Sequence, residues 1–326
     1  MQSDKEASGG MALKQEALYP GVTIIKKRTA GVLLKREFKN WKIYLCLMPF
    51  FGIFFIFTVL PVLKAIFYSF TYFNIFQEPQ WVWLDNYINL LLHDDVFIKA
   101  IVNTFFFAII TGPFGYLISL LLAWVINDFR PGIRAVLTVV FYAPSISGQL
   151  YLIWNLMFSG DSYGFANSIL TRLGIINEPV QWLSDPKYMM GVIILVALWM
   201  SLGAGFLSFI AGFQGIDRSL YEAGSIDGIK NRYQELWFIT LPTIRPQLMF
   251  GAVMSITSSF ATADIMINLA GFPSTDYAAH TIVTHLQDYG SIRFEMGYAC
   301  AIATILFIMM ITINKWVQKL IGKVGQ

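Results

Sequence analysis

Six stretches of this chain are apolar over the length of a membrane span: about 43–63, 100–126, 135–158, 188–213, 247–270 and 295–316. Each exceeds the roughly 20 residues that a helix needs to cross about 30 Å of hydrocarbon. Backbone inside a bilayer finds no water, so such segments are confined to helices or closed barrels. The period-two alternation of barrel strands is absent, which leaves helices. Composition points the same way: 56% of the 326 residues are hydrophobic, 13% are charged, and mean hydropathy is +0.59. A disordered chain, a coiled coil, a secreted disulfide scaffold and a nucleic-acid binder are excluded on that count. The expected fold class is an all-α integral membrane protein with six transmembrane helices. Breakers inside the spans (Pro49, Pro61, Gly112-Pro113, Pro144, Gly148) are tolerable where neighbouring helices or a wet cavity satisfy the freed backbone groups.

Basic residues then orient the spans. Of the 23 Lys and Arg, nine precede residue 43, two fall at 127–134, four at 214–246 and three in the tail. Only five (Lys64, Lys99, Arg172, Lys187, Arg293) fall in the alternate segments. The positive-inside rule places the first group, with both termini, in the cytoplasm. Segments 64–99, 159–187 and 271–294 then face out. Residues 1–42 read as a basic cytoplasmic segment, not a cleavable signal, because no small-residue cleavage site follows the apolar run. Within it, 22–42 is either a helix lying on the inner leaflet or a solvated tail. Residues 43–320 form the membrane-spanning body, with a long cytoplasmic loop at 214–246.

Several chemistries lack their parts. There is no P-loop: Gly322-Lys323 has Val317 where the first glycine should stand. Neither H-E-x-x-H nor G-x-S-x-G occurs. Cys46 and Cys300 sit in apolar runs, as small core residues would. His93, His280 and His285 lack ligand spacing and are expected to be exposed or interfacial, with no metal bound. Asp264 is the one clear carboxylate inside a span, too few for a proton relay. A membrane enzyme and a proton-coupled carrier are both disfavoured.

The 214–246 loop carries the strongest pattern. Ser219 and Glu222 have the spacing of a capping box, so a short helix is expected from about 220. Asp227-Gly228 signals the turn that ends it. A second helix is expected over about 231–240, stopped by Pro242 and Pro246. Leu220, Tyr221, Ile226, Ile229, Tyr233, Leu236, Trp237 and Phe238 are a large apolar load for a wet loop. They mark either a docking surface or packing against the span ends.

The run Glu222-Ala223-Gly224, Asp227-Gly228, Ile239-Thr240-Leu241-Pro242 resembles the EAA loop of bacterial ABC-importer permeases. It departs from the usual pattern at Gly224, where Ala is usual, and at Ile229, where a small residue is usual. The resemblance extends over about 43–320. Leu84-Asp85-Asn86-Tyr87, Asn103-Thr104, Leu122-Ala123, Gly164 with Asn167, and Trp182-Leu183-Ser184-Asp185-Pro186 look like the sugar-permease subfamily. The last run is similar to the larger, maltose-type subunit. The resemblance implies a type I importer in the bacterial plasma (inner) membrane. This chain would pair with a second homologous permease, two ATP-binding subunits holding ATP and Mg, and an external solute-binding protein delivering a sugar or oligosaccharide. The chain itself would be no enzyme and would bind no cofactor. The coupling residues implied are Ser219, Glu222, Ala223, Gly224, Asp227, Gly228, Trp237, Phe238 and Pro242. Glu222 alone is either a helix cap or a docking charge.

The substrate path is read from the residues. Ser255, Ser258, Ser259 and Thr262 share one helix face, while Thr257, Asp264 and Asn268 lie roughly opposite. One stripe lines a pore or glues helices together. Gln149, Tyr151 and Trp199 add the amide and aromatic groups that sugars need. Trp81, Trp83 and Trp182 are expected in the interfacial aromatic belt. A short amphipathic helix is expected at 165–173, within a possible landing surface for a binding protein. The alternative function is a stand-alone secondary transporter or channel.

Overall fold

The computed structural model describes residues 41–147 and 150–321. Gln149 and the 22–42 segment up to residue 40 therefore lie outside the described residues. The chain divides into two compact units, one ending at Pro61 and the other beginning at Val62.

In the first unit, α1 (Trp41–Phe54) runs into a π turn, Phe55–Val59; α2 (Leu60–Tyr68) starts at the unit's last two residues and belongs mostly to the second. Pro61 explains the widened turn. An α-helix here would drive the proline ring against the carbonyl four residues back. A turn closed by Leu60 N–H donating to Phe55 O relieves that clash.

The second unit is helical apart from a two-residue hairpin, β1 (Thr71–Tyr72) against β2 (Gln80–Trp81). Its helices are α3 (Asp85–Leu92), α4 (Asp95–Asn127), α5 (Pro131–Ile146), α6 (Tyr151–Met157), α7 (Phe165–Arg172), α8 (Pro186–Trp199) and α9 (Ala204–Gln214). There follow α10 (Arg218–Ile226), α11 (Arg232–Glu235), α12 (Leu241–Thr243), α13 (Arg245–Ala261), α14 (Asp264–Ala270), α15 (Ile282–Gln287) and α16 (Met296–Ile321).

Among the described residues four helical stretches are long and apolar enough to cross a membrane: Tyr44–Tyr68, Asp95–Asn127, Pro186–Gln214 and Met296–Ile321. The count becomes six if α5 with α6, and α13 with α14, are each one broken span. The α13–α14 pair bends by 44°. Ser258, Ser259 and Thr262 at that break all bond back to carbonyls of their own helix, which competes with the regular ladder and bends it.

α4 is the central element, because all three buried apolar clusters include it. Phe107 joins Met189, Ile193 and Met266; Ala123 and Ile126 join Phe206, Phe209 and Leu248; Phe97 joins Leu90, Ile282 and Ile302. Its buried positions include Ala108, Gly112, Gly115, Ser119 and Ala123. Small residues at three- and four-residue spacing let neighbouring helices approach closely where the hydrophobic effect does not drive association. The two ends of α4 gather different loops. Asp94 and Asn103 at the start of α4 bond to His285 and to the carbonyls of Tyr277 and His280. Asp128 at its end pairs with Arg232.

The expectation of exposed histidines is corrected. His280 and His285 are not exposed but each 2% accessible. His280 Nε2 lies 3.1 Å from His285 Nδ1, and His285 Nε2 lies 3.0 Å from Asp94 Oδ2. Trp182 is half-buried, and its indole N–H donates to Asn167 Oδ1 at 2.8 Å. Tryptophan carries one strong donor, and burying it needs a partner that spacing along the chain does not reveal.

Candidate coupling loop and central cavity

The 214–246 loop folds as two helices about a tight glycine turn. α10 begins at Arg218 because Asp217 caps it: the extended Asp217 accepts from Ser219 N–H at 3.0 Å. The expected Ser219–Glu222 capping box does not form. A carboxylate at the helix start is a stronger acceptor for the free amides than a hydroxyl two residues later, and it also meets the positive end of the helix dipole. That bond to Ser219 holds the Asp217 carboxyl below its ordinary pKa. Glu222 is consequently a mid-helix side chain, lining a polar cavity of about 560 Å³ with Arg134, Arg218 and Arg232.

The turn ends α10 with both bonds of a Schellman motif. Ile229 N–H donates to Gly224 O at 3.0 Å, and Gly228 N–H donates to Ser225 O at 3.4 Å. Gly228 sits at φ +96°, a conformation that side-chain-bearing residues rarely adopt. Asp227 is the C-cap. Asn231 then caps α11 by accepting from Gln234 N–H at 2.9 Å, and Lys230 N–H donates to Gln234 Oε1.

Contrary to the expectation from the sequence, Pro242 does not stop the second helix. A π turn, Leu236–Thr240, ends two residues before it, and the helical path continues through α12. Leu241 N–H donates to Leu236 O, the arrangement that also precedes Pro61. The buried Thr240 hydroxyl donates to Glu235 O at 3.1 Å. With its one proton committed, it must accept from Tyr221 OH at 2.9 Å, and this bond ties α10 to the second helix.

The apolar load divides in two. Tyr221, Ile229 and Leu236 are half-buried, while Ile226, Tyr233, Trp237 and Phe238 are 86%, 73%, 66% and 65% exposed. Ala223 is exposed between them, and Gly224 is buried.

A second cavity, of about 270 Å³, lies between α4, α8, α9 and α13. Tyr151, Ser255, Ser258, Ser259 and Thr262 line it. Trp199 and Asp264 do not: Trp199 packs edge-on against Trp154 at 5.3 Å, and Asp264 opens α14 with its carbonyl accepting from Asn268. Ser255 also donates across to Gly112 O at 2.8 Å, and Thr111 bonds Ser259 at 3.2 Å. The same side chains thus wall the cavity and join two helices. The sequence reading missed Thr111, Tyr116, Ser119, Ser145 and Ser201 in the lining. The hydroxyls of α4 (Thr111, Ser119) recur at a helical interval among small residues, a signal that could have marked them.

Segment 159–187 is built on Asn167, which is fully buried in α7. Its amide donates to the carbonyls of Ser159, Asp161 and Val180, and its oxygen accepts from Val180 N–H and Trp182 Nε1.

No protein-family model matches the chain. It is 30% identical over 273 residues to the probable ABC transporter permease protein YesP of Bacillus subtilis (strain 168), covering 82% of this chain and 86% of that one. It is 29% identical over 281 residues to the arabinooligosaccharides transport system permease protein AraP of the same organism, covering 86% and 88%. In fold it is similar to a chain of a bacterial alginate ABC transporter in complex with alginate pentasaccharide-bound periplasmic protein. That match has a TM-score of 0.72 at 24% identity and covers 90% of this chain and 98% of the other.

Proposed function

This chain belongs to the sugar-permease family of ABC transporters, and on that premise we propose that it forms half of the translocation pore of an ATP-driven importer of oligosaccharides. It is a multi-pass membrane protein; we place it in the bacterial plasma membrane with six spans and both termini inside, as the basic residues direct. A second homologous permease completes the pore. Two separate ATPase subunits, which bind ATP and Mg, dock on the 214–246 loop. An external binding protein delivers the sugar to segments 64–99, 159–187 and 271–294.

The observation that carries this reading is the loop itself. Its turn is fixed by a Schellman motif, its core is closed by Tyr221 and Thr240, and Ile226, Tyr233, Trp237 and Phe238 are left outside. A rigid element presenting exposed aromatic surface is what a docking partner requires. Closure of the ATPases would move that element as one body and bias the spans between inward and outward opening. The central cavity supplies hydroxyls (Ser255, Ser258, Thr262) and an aromatic ring (Tyr151) suited to a neutral sugar surface. An oligosaccharide cargo is supported by the names of the relatives.

The test is co-purification in mild detergent with the neighbouring gene products, then an ATPase assay with and without the candidate binding protein. The expected result is a complex containing a second permease and ATPases whose hydrolysis rises with sugar-loaded binding protein. A chain that purifies alone and moves sugar in liposomes without ATP would overturn the reading in favour of a secondary transporter.

A further inference from the structure

We infer that Arg232 is a positioning residue that straps the coupling loop to the last turn of α4, making α4 the rod that carries loop movement to the central cavity. The inference rests on the function proposed above and adds a path to it.

Arg232 opens α11, yet its guanidinium makes no use of its own loop. It forms an ion pair with Asp128, the C-cap of α4. One terminal nitrogen donates to Trp124 O at 3.2 Å. The guanidinium carbon stands 4.3 Å from the centre of the Trp124 ring. The next residue, Tyr233, places its ring 5.7 Å from the same indole. These contacts join residues more than a hundred positions apart, and all fall on one helix turn.

The chemistry of that turn suits an arginine. The last carbonyls of a helix lack partners within it, and its C-terminus carries partial negative charge. A planar fork can meet a carboxylate and a carbonyl while its face lies on an indole, which the ammonium of a lysine cannot do. Arg134, which lines the same polar cavity as Arg232, is engaged elsewhere, donating to Asn127 Oδ1 at 3.2 Å.

α4 is suited to the rod's task. It is one continuous helix of 33 residues. Thr111, Tyr116 and Ser119 on it line the central cavity, and Thr111 bonds Ser259 on the facing wall. The strap begins about one and a half turns beyond Ser119, a rise of roughly 8 Å. A displacement of the loop therefore reaches the cavity through rigid helix, provided the strap holds. Tyr221–Thr240, the other internal tie, connects the loop only to itself.

The test uses the assembled complex in liposomes, measuring ATP hydrolysed and sugar imported together. Arg232→Ala leaves Ile226, Trp237 and Phe238 in place, so the complex is expected to assemble and hydrolyse ATP. Sugar moved per ATP is expected to fall about tenfold. Asp128→Asn, which keeps the carbonyl bond and the ring contact, is expected to lose about threefold and serves if Arg232→Ala does not insert. The exchange Arg232→Asp with Asp128→Arg restores the ion pair and is expected to recover part of the ratio. A merely structural arginine would lower assembly, hydrolysis and import together with the ratio unchanged, and that result in Arg232→Ala or Asp128→Asn overturns the inference while leaving the importer intact. A wild-type complex that does not couple ATP to import overturns the function and the strap with it.

Discussion

Ile239 occupies the space that a side chain on Gly224 would need: a Cβ built on Gly224 would stand 2.5 Å from Ile239 Cδ1. It would also stand 3.2 Å from Ile229 Cδ1. The two departures from the family pattern, a glycine for the usual alanine and an isoleucine for a small residue, are therefore one packing solution. The missing methyl at 224 leaves room for the larger side chain at 229 and seats α10 against the second helix.

Gly224→Ala is expected to be nearly neutral in stability. The gain in helix propensity, about 1 kcal/mol, is offset by displacement of the Ile239 tip. Combining it with Ile239→Val removes the collision, so the double mutant should exceed the sum of the single effects by about 1 kcal/mol. Melting of the four variants in detergent measures the coupling; strict additivity would mean the two residues do not share that space.

Gly228 carries a different constraint. Nothing lies within 4 Å of a Cβ placed there, so crowding is absent and only the φ of +96° resists substitution. Gly228→Ala and Gly228→Asp should each cost about 1–2 kcal/mol locally and fray the end of α10. Membrane insertion should be retained while ATPase-coupled transport falls severalfold. Glu222→Lys should do likewise, since it adds a fourth cation to a cavity already lined by Arg134, Arg218 and Arg232. Wild-type transport by these variants would remove the loop from the coupling path.

Asn167 is the keystone of segment 159–187. Replacing it with Ala leaves several buried polar partners unpaired, at about 1–3 kcal/mol each before relaxation. Asn167→Ala should therefore make 159–187 sensitive to protease and shift Trp182 fluorescence to the red, with the remaining spans intact. Unchanged protease resistance would show that the apolar contacts of Trp182 alone hold the segment.

The histidine chain makes the N-terminal end of α4 sensitive to acid. Burial, followed by the neighbouring His285 and Arg293, outweighs the attraction of Asp288 and Asp94 and lowers the His280 pKa from 6.5 to about 4. Burial alone would raise Asp94, but its bonds to His285, the Phe97 amide and Tyr298 prevail and hold it at about 2. Between pH 4 and 6.5 the unfolded chain takes up the His280 proton more readily than the folded one. Stability from His280 is thus complete above 6.5 and lost as pH falls toward 4, by up to about 3 kcal/mol. Asp94 adds a further loss as pH falls from about 3.8 toward 2. Melting temperature against pH should slope steeply between 6.5 and 4 in the wild type and less in His280→Gln. Equal slopes would assign the sensitivity elsewhere.

The extent to which these sites were legible follows from the range of the interactions behind them. Gly228 was readable because a turn after a helix is local chemistry: the residue type, the Asp before it and the helix signals lie within ten positions. The Asp217 cap is equally local, but Asp and Ser are both good caps and only the actual helix start chooses between them. The serine stripe of α13 was visible as a face, but a face does not say what it meets. Ser255 and Ser259 turned out to meet α4, through Gly112 and Thr111.

By itself the sequence determined that this chain is helical and lives in a membrane, how its loops sort into two groups by charge, and where its glycine-hinged loop turns. Each of these depends on composition or on neighbours along the chain. The tertiary structure alone decided which half of the loop's apolar residues stays exposed, that His280 and His285 are buried on Asp94, and that Arg232 reaches Trp124. Those outcomes depend on contacts between residues far apart in the chain, up to 191 positions for His285 and Asp94. Helical periodicity fixes the direction in which a side chain points, and only the packing of the helices supplies what it touches.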